Sequence, residues 1–174
     1  MIQRILIAIS IPFFFLLQTG VFTYLKLGNC IPNLMVLIAC IYGFFYGEKF
    51  GCVVGFFCGL LMDIFFGNML GLNALIIMLI GYINGGFSEL FYAEDIRLPM
   101  ILLTLSDATY GLMYYIFTFL MRGRLSIGFY MTKVILPEIF YTILVSLVIY
   151  PILLAIDTLF RNLKLRKELE KQDV

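Results

Sequence analysis

Apolar residues run along this chain in long, nearly unbroken blocks, such as Ile5 to Leu17 and Leu34 to Ala39. A membrane-spanning barrel would instead alternate apolar and polar side chains at every second position. Backbone amides in hydrocarbon must pair internally, so only helices and closed barrels span a bilayer. The continuous blocks therefore predict an all-α, polytopic transmembrane bundle.

The blocks divide into about six spans, because roughly 20 apolar residues cross the hydrocarbon as a helix. The connections are short, so residues 1–174 are expected to form a single transmembrane domain with a short basic tail, 159–174. The second and third spans are brief and could form one interrupted hairpin. The predicted spans are Ile5–Leu25, Ile31–Tyr46, Phe50–Gly67, Leu72–Leu90, Leu98–Met121 and Val134–Thr158.

Composition supports the membrane and narrows the chemistry. The chain is 63% hydrophobic and 13% charged, whereas soluble domains carry about 25% charged residues. A net charge of +1 gives no reason to expect nucleic acid. Histidine is absent, which removes the commonest general base and metal ligand. The four cysteines lack metal-type spacing, and no nucleotide-binding or hydrolase motif appears. We expect no enzyme activity, no cofactor and no metal.

The lysines and arginines predict that both termini are cytoplasmic, because cytoplasmic loops carry the excess of these residues. The basic tail could also rest on an anionic inner leaflet, but a simple positive-inside anchor is the favoured interpretation. Arg4, Lys49, Arg97, Arg161, Lys164, Arg166, Lys167 and Lys171 fall on one side, and Lys26, Arg122, Arg124 and Lys133 fall on the other.

A glycine ladder with a period of four marks the second and third spans. Within the third span, Gly51, Gly55, Gly59 and Asp63 form one stripe. Glycine at every fourth position lets another helix approach backbone to backbone. Two interpretations are open: packing within the chain, or an interface for a helix of a partner protein.

Acidic residues inside apolar sequence are a second signal, because a charge near the bilayer centre costs roughly 2.5–3.5 kcal/mol on insertion scales. Asp63 lies about 20 Å along its helix from the inner end, which places it in the outer leaflet. We expect an outer polar cluster there, in which Asp63 and Glu138 pair with one or more cations. Asp107 lies near the midplane and needs a partner from another helix, whereas Asp157 lies near the inner interface. The expected cluster comprises Asn33, Asp63, Glu138, Arg122 and Arg124.

Residues 30–90 carry a distinctive pattern of glycine and polar positions. It comprises Pro32-Asn33-Leu34, then Gly43, Gly47, Gly51, Gly55, Phe56, Gly59, Leu60 and Asp63, and later Gly81, Tyr82 and Gly85. In this pattern the sequence strongly resembles the rod shape-determining protein MreD family, and the rest of the chain resembles that family in its topology. Many relatives carry aspartate at the position of Asn33.

The resemblance implies a non-enzymatic scaffold in the bacterial cytoplasmic membrane that takes part in cell-wall elongation and peptidoglycan synthesis. It implies binding to MreC, a bitopic membrane protein, and through it a connection to MreB, RodA and a penicillin-binding transpeptidase. It also implies a fold similar to the S components of energy-coupling-factor transporters. The alternative function is therefore a vitamin-uptake subunit, in which Tyr110, Tyr114 and Tyr115 help to line a ligand pocket.

Overall fold

The computed structural model describes residues 2–26, 30–67, 69–90, 96–118 and 127–172. These residues form a bundle of six helices in chain order. Helix α1 is Ile2–Leu16 and continues through a π-helical turn, Leu17–Val21, into Phe22–Tyr24. Helix α6 begins as Ile127–Tyr130 and continues through a second π-helical turn, Met131–Ile135, into Leu136–Gln172. The other four are α2 (Leu34–Tyr46), α3 (Glu48–Phe66), α4 (Leu72–Gly86) and α5 (Arg97–Thr118).

Four segments of the described chain are long and apolar enough to cross a membrane, one each in α1, α3, α5 and α6. Helices α2 and α4 are apolar but short, with 13 and 15 residues. At 1.5 Å per residue they extend only about 20 Å, less than the roughly 30 Å of hydrocarbon. The all-α bundle is confirmed, and two of its six helices are shorter than a full span.

Helix α2 is the core of the bundle. Its residues from Leu34 to Phe45 are all buried, which is the pattern of a helix that is apolar on every side and surrounded by protein. Large apolar side chains of α1, α3, α5 and α6 face outward instead; Phe13, Ile64, Ile101 and Phe140 are more than half exposed. Lipid therefore contacts the outer helices and not α2.

The ends of the helices differ from the predicted spans for local reasons. The second helix begins at Leu34 and not at Ile31, because the Asn33 side chain accepts a bond from the Val36 amide and caps it. Gly47 alone joins α2 to α3, with a φ of 87° that favours glycine. The fourth helix ends at Gly86 and not at Leu90.

The last helix extends beyond the predicted span at both ends and contains one π-helical turn. Backbone helix begins at Ile127 and runs to Gln172, so the basic tail continues the span without a break. Pro137 has no amide hydrogen, so it cannot bond the carbonyl four residues earlier. The Leu136 amide bonds to Met131 across the wider turn, and the Cys30 thiol lies 3.7 Å from the Lys133 carbonyl oxygen.

Candidate functional site

The glycine ladder lies directly against helix α4. A Cβ added at Gly51 would sit 2.1 Å from the Gly81 carbonyl oxygen, and one at Gly55 would sit 2.4 Å from the Ile77 oxygen. A Cβ at Gly59 would sit 2.4 Å from the Ala74 Cα. All three contacts are to backbone atoms, so α3 and α4 touch backbone to backbone along three turns.

This geometry corrects the expectation of a partner-helix interface on Gly51, Gly55, Gly59 and Asp63. The stripe does admit a second backbone, as its spacing predicted, but that backbone belongs to the same chain. Since α4 fills the face, no further helix can reach it in this fold.

Asp63 serves the same pair of helices as a cap. Its Oδ2 accepts hydrogen bonds from the amides of Gly71 and Ala74, both at 2.9 Å. Its Oδ1 accepts from the Asn73 amide at 3.1 Å and from Asn73 Nδ2 at 3.0 Å. The backbone donors belong to Gly71, the N-cap of α4, and to the first turn of that helix, where amides have no partner inside the helix. A carboxylate also suits the positive end of a helix dipole.

The expected outer polar cluster is therefore divided. Asp63 accepts its hydrogen bonds from backbone amides and from the side-chain amide of Asn73. The expected pairing of Asp63 with cations is therefore not needed to stabilise it. Arg122 and Arg124 lie outside the described residues. Asn73 also connects Asp63 to α5, because the Tyr110 hydroxyl donates to Asn73 Oδ1 at 2.9 Å.

Asn33 and Glu138 are instead found with Asp107. We define the acid cluster as Asn33, Asp107, Glu138 and Thr142, contributed by the start of α2, the middle of α5 and the first turns of α6 after its π-helical turn. The Asn33 and Thr142 side chains lie beside the Asp107 carboxyl, and Asn33 also faces Glu138. Asn33 and Asp107 are each 2% exposed.

Hydrogen bonds fix the frame of the acid cluster but leave its centre unpartnered. The Asn33 backbone amide donates to the Thr142 hydroxyl at 3.1 Å, and that hydroxyl donates to the Glu138 backbone carbonyl at 2.8 Å. Yet neither oxygen of Asp107, nor Nδ2 of Asn33, has a hydrogen-bond partner within the described structure. Such groups are rare inside proteins and require an explanation.

Asp157 lies apart, near the end of the candidate span in α6, where it accepts a hydrogen bond from the Tyr46 hydroxyl. The tyrosines of the alternative ligand pocket are distributed in different ways. Tyr110 stacks on Tyr114 at 6.0 Å, whereas Tyr115 packs against Tyr130 at 5.0 Å. The described residues contain no group of three or more acidic, cysteine or histidine side chains that could hold a metal.

A shallow apolar groove runs on the outside of the bundle between α1 and α3. Its volume is about 400 Å³. Helices α1 and α3 both begin on the same side of the bundle, and Lys49 lies at that end of the groove, exposed. This surface, the α1–α3 groove, is lined by Ile7, Ala8, Ile11, Lys49, Phe50, Val53, Val54 and Phe57.

Sequence reasoning missed three of the bonding partners. Gln18 lies in the π-helical turn of α1 and accepts a bond from the Met35 amide at 3.2 Å, and a lone amide in an apolar block could have drawn attention to it. Thr142 lies one turn after Glu138 on the same helix face. Asn73 is close to Asp63 in sequence, which suggests a cap on the following helix.

Comparison with known proteins identifies the family. No curated protein and no solved structure gives a significant match to the chain. The family model for the rod shape-determining protein MreD matches residues 1–159. That range includes the glycine ladder, Asp63, the acid cluster and the four candidate spans, except for the last residue of the fourth span. The chain, a multi-pass membrane protein, belongs to the rod shape-determining MreD family.

Proposed function

We propose that the chain is a non-enzymatic scaffold of the bacterial cell-wall elongation complex, and that it binds the transmembrane helix of an MreC-like protein in the α1–α3 groove. The groove is the observation that carries the proposal. Family membership supplies the context of rod-shape determination. The partner would connect the scaffold to MreB, RodA and a penicillin-binding transpeptidase.

The position of the groove restricts its occupant. Helices α1 and α3 both contain candidate membrane spans, so whatever fills the space between them lies in hydrocarbon. That occupant is either an acyl chain or the apolar face of another helix. Helices associate in lipid mainly through close packing, and a groove supplies the shape for it. Ala8 and Val53 are small and exposed on its walls, so a neighbouring helix can approach closely.

The small and polar residues that form the stripe on α3 are already used inside the chain. The glycine ladder packs on α4 and Asp63 caps it, so neither is available to a partner. Association through the groove needs no charged contact in the hydrocarbon. The positive-inside pattern supports cytoplasmic termini in the inner membrane, and Lys49 at the end of the groove would then lie at the cytoplasmic interface.

A matched pair of substitutions tests the groove. Ala8→Phe fills it with a bulky ring, whereas Ala155→Phe adds the same ring to an exposed position on α6. A misfit of about 1–3 kcal/mol weakens association about 5- to 150-fold. We expect the MreC-like partner, co-expressed and purified in mild detergent, to be lost with Ala8→Phe and retained with Ala155→Phe. Equal recovery with the two variants would exclude the groove as the docking site.

A second measurement distinguishes a scaffold from a vitamin-transport subunit. A ligand that binds only the folded protein raises its melting temperature. A scaffold should be stabilised by a synthetic peptide of the partner's membrane helix, and Ala8→Phe should abolish that gain. Stabilisation by a vitamin, with no response to the helix peptide, would instead support the transporter function.

A further inference from the structure

We propose that the acid cluster is a binding site for one small monovalent cation, a proton or Na⁺, held between Asp107 and Glu138. The site is independent of the groove and of any partner protein. It lies among α2, α5 and α6, so its occupancy affects how these three helices pack.

The first argument is electrostatic. Asp107 is 2% exposed and lies close enough to the half-buried Glu138 to act on its carboxyl. Two like charges in a medium of low dielectric constant repel strongly, and a buried carboxylate without compensation is costly. The described cationic side chains are all exposed: Lys26, Lys49, Arg97 and Lys133. The pair therefore requires a positive species that the described side chains do not supply.

The second argument is the orientation of Asn33. Its Oδ1 accepts from the Val36 amide at 3.3 Å, which fixes that atom as the acceptor and leaves Nδ2 facing the two carboxyls. Nδ2 is buried and has no hydrogen-bond partner among the described residues. A donor aimed at the pair favours one remaining negative charge.

The charge of the ligand follows from these two arguments. One monovalent cation reduces a charge of two on the pair to one. The remaining negative charge then lies at the start of α2, where the helix dipole favours an anion and Asn33 can donate to it. This arrangement gives both Asp107 oxygens a partner, because one binds the cation and the other accepts a hydrogen bond from Asn33 Nδ2.

Asp63 provides an internal contrast. It is equally buried, at 2% exposure, but four hydrogen bonds from α4 satisfy its oxygens. Burial alone therefore does not leave a carboxyl unpartnered in this bundle. Asp107 differs because the hydroxyl beside it, that of Thr142, donates to the Glu138 carbonyl.

The test uses the full-length purified protein in detergent, unfolded by heat between about pH 5.5 and pH 7.5. The other titratable side chains that interact with the pair are thiols and phenols, whose ordinary pKa values lie above this range: Cys30, Cys40, Tyr110 and Tyr130. Each pH is measured in NaCl and in choline chloride at equal ionic strength. The variants are Asp107→Asn/Glu138→Gln and, as a control acid elsewhere, Asp157→Asn.

The two cations give different results. If a proton is the ligand, the folded state binds one more proton than the unfolded state, so stability falls as pH rises, by up to tenfold in the folding constant per pH unit. Na⁺ then has no effect. If Na⁺ binds, the melting temperature at the higher pH rises with the logarithm of its concentration and does not rise with choline.

Either response must disappear in Asp107→Asn/Glu138→Gln and persist in Asp157→Asn. The same response in wild type and in the double variant, or none in either, would overturn the proposal. Should the double variant fail to fold, the wild type still reports on the site through Cys40, a buried thiol on α2 that interacts electrostatically with Asp107. Lower pH slows the alkylation of both thiols, because the thiolate is the reactive form, so the measured quantity is the rate of Cys40 relative to that of Cys52 on α3. This ratio should fall at lower pH or with Na⁺, and an unchanged ratio would count against the site.

Discussion

Replacing Gly51 with alanine should destabilise the protein, although alanine is the better helix former. The added methyl would meet the Gly81 carbonyl oxygen at 2.1 Å, more than 1 Å inside an ordinary contact of 3.4–4 Å. The atom it meets is backbone, so no side-chain rotation can relieve the clash. Helices α3 and α4 must separate, and that separation also loosens the contacts at Gly55.

The expected cost follows from two opposing contributions. Overpacking in a close-packed interior costs typically 1–3 kcal/mol, while glycine to alanine inside a helix gains about 1 kcal/mol. Gly20→Ala isolates the second contribution, since a Cβ there has nothing within 4 Å. For a chain of this size 1 kcal/mol shifts the melting temperature by about 2–4 °C. We therefore expect Gly51→Ala to melt about 2–12 °C below Gly20→Ala.

Thermal unfolding of the purified variants in one detergent checks this difference. A further variant sharpens it, because Gly51 and Gly81 face each other and each alanine alone would force the helices apart. Gly51→Ala/Gly81→Ala should consequently cost less than the sum of the single substitutions. If Gly51→Ala melts with or above Gly20→Ala, the two backbones do not touch as described and the glycine ladder needs another explanation.

The remaining predictions concern polar groups and topology. Asp63→Asn should lower the melting temperature by the loss of charged hydrogen bonds to amides, about 1.5–3 kcal/mol, and more than Asp157→Asn; equal effects would contradict its role as a cap. Thr142→Val should cost about 1–3 kcal/mol, because the buried Asn33 amide loses its acceptor, whereas Thr109→Val, whose hydroxyl only bonds within its own exposed turn, should cost little in the same thermal assay. Reporter fusions at both ends should show cytoplasmic termini. Activity, at either end, of a reporter that works only outside the cytoplasm would contradict that orientation.

The sequence predicted the bundle well because lipid leaves few choices. Continuous apolar blocks and the need to pair every backbone group in hydrocarbon gave the helices and most of their bounds. The lengths of α2 and α4 could not be obtained in this way. A block such as Leu34–Ala39 is equally apolar whether it faces lipid or protein, so hydrophobicity does not reveal that α2 is surrounded by other helices.

The candidate site was only partly predictable, since spacing gives a face but not its neighbour. The period of four at Gly51, Gly55 and Gly59 correctly indicated a close backbone approach. It could not show that the approaching helix is α4, which follows in the same chain. Depth placed Asn33 and Glu138 on one side of the membrane, but the contact of Asn33 with Asp107 depends on how α2 and α5 pack, and that is a tertiary property.

Polar residues in these spans act first at helix ends. Most of the bonded amides at the start of α2 and α4 belong to buried residues, namely Met35, Val36, Asn73 and Ala74, so side chains bond them in place of water. Gln18 and Asn33 do so for α2, and Asp63 does so for α4. A buried polar residue of this chain that bonds helix-end amides thus needs no further role to explain its presence. Asp107 bonds none, and the energy of keeping it in hydrocarbon must be offset by something other than the backbone. That difference between two equally buried aspartates is the reason to look for a ligand at one and not at the other.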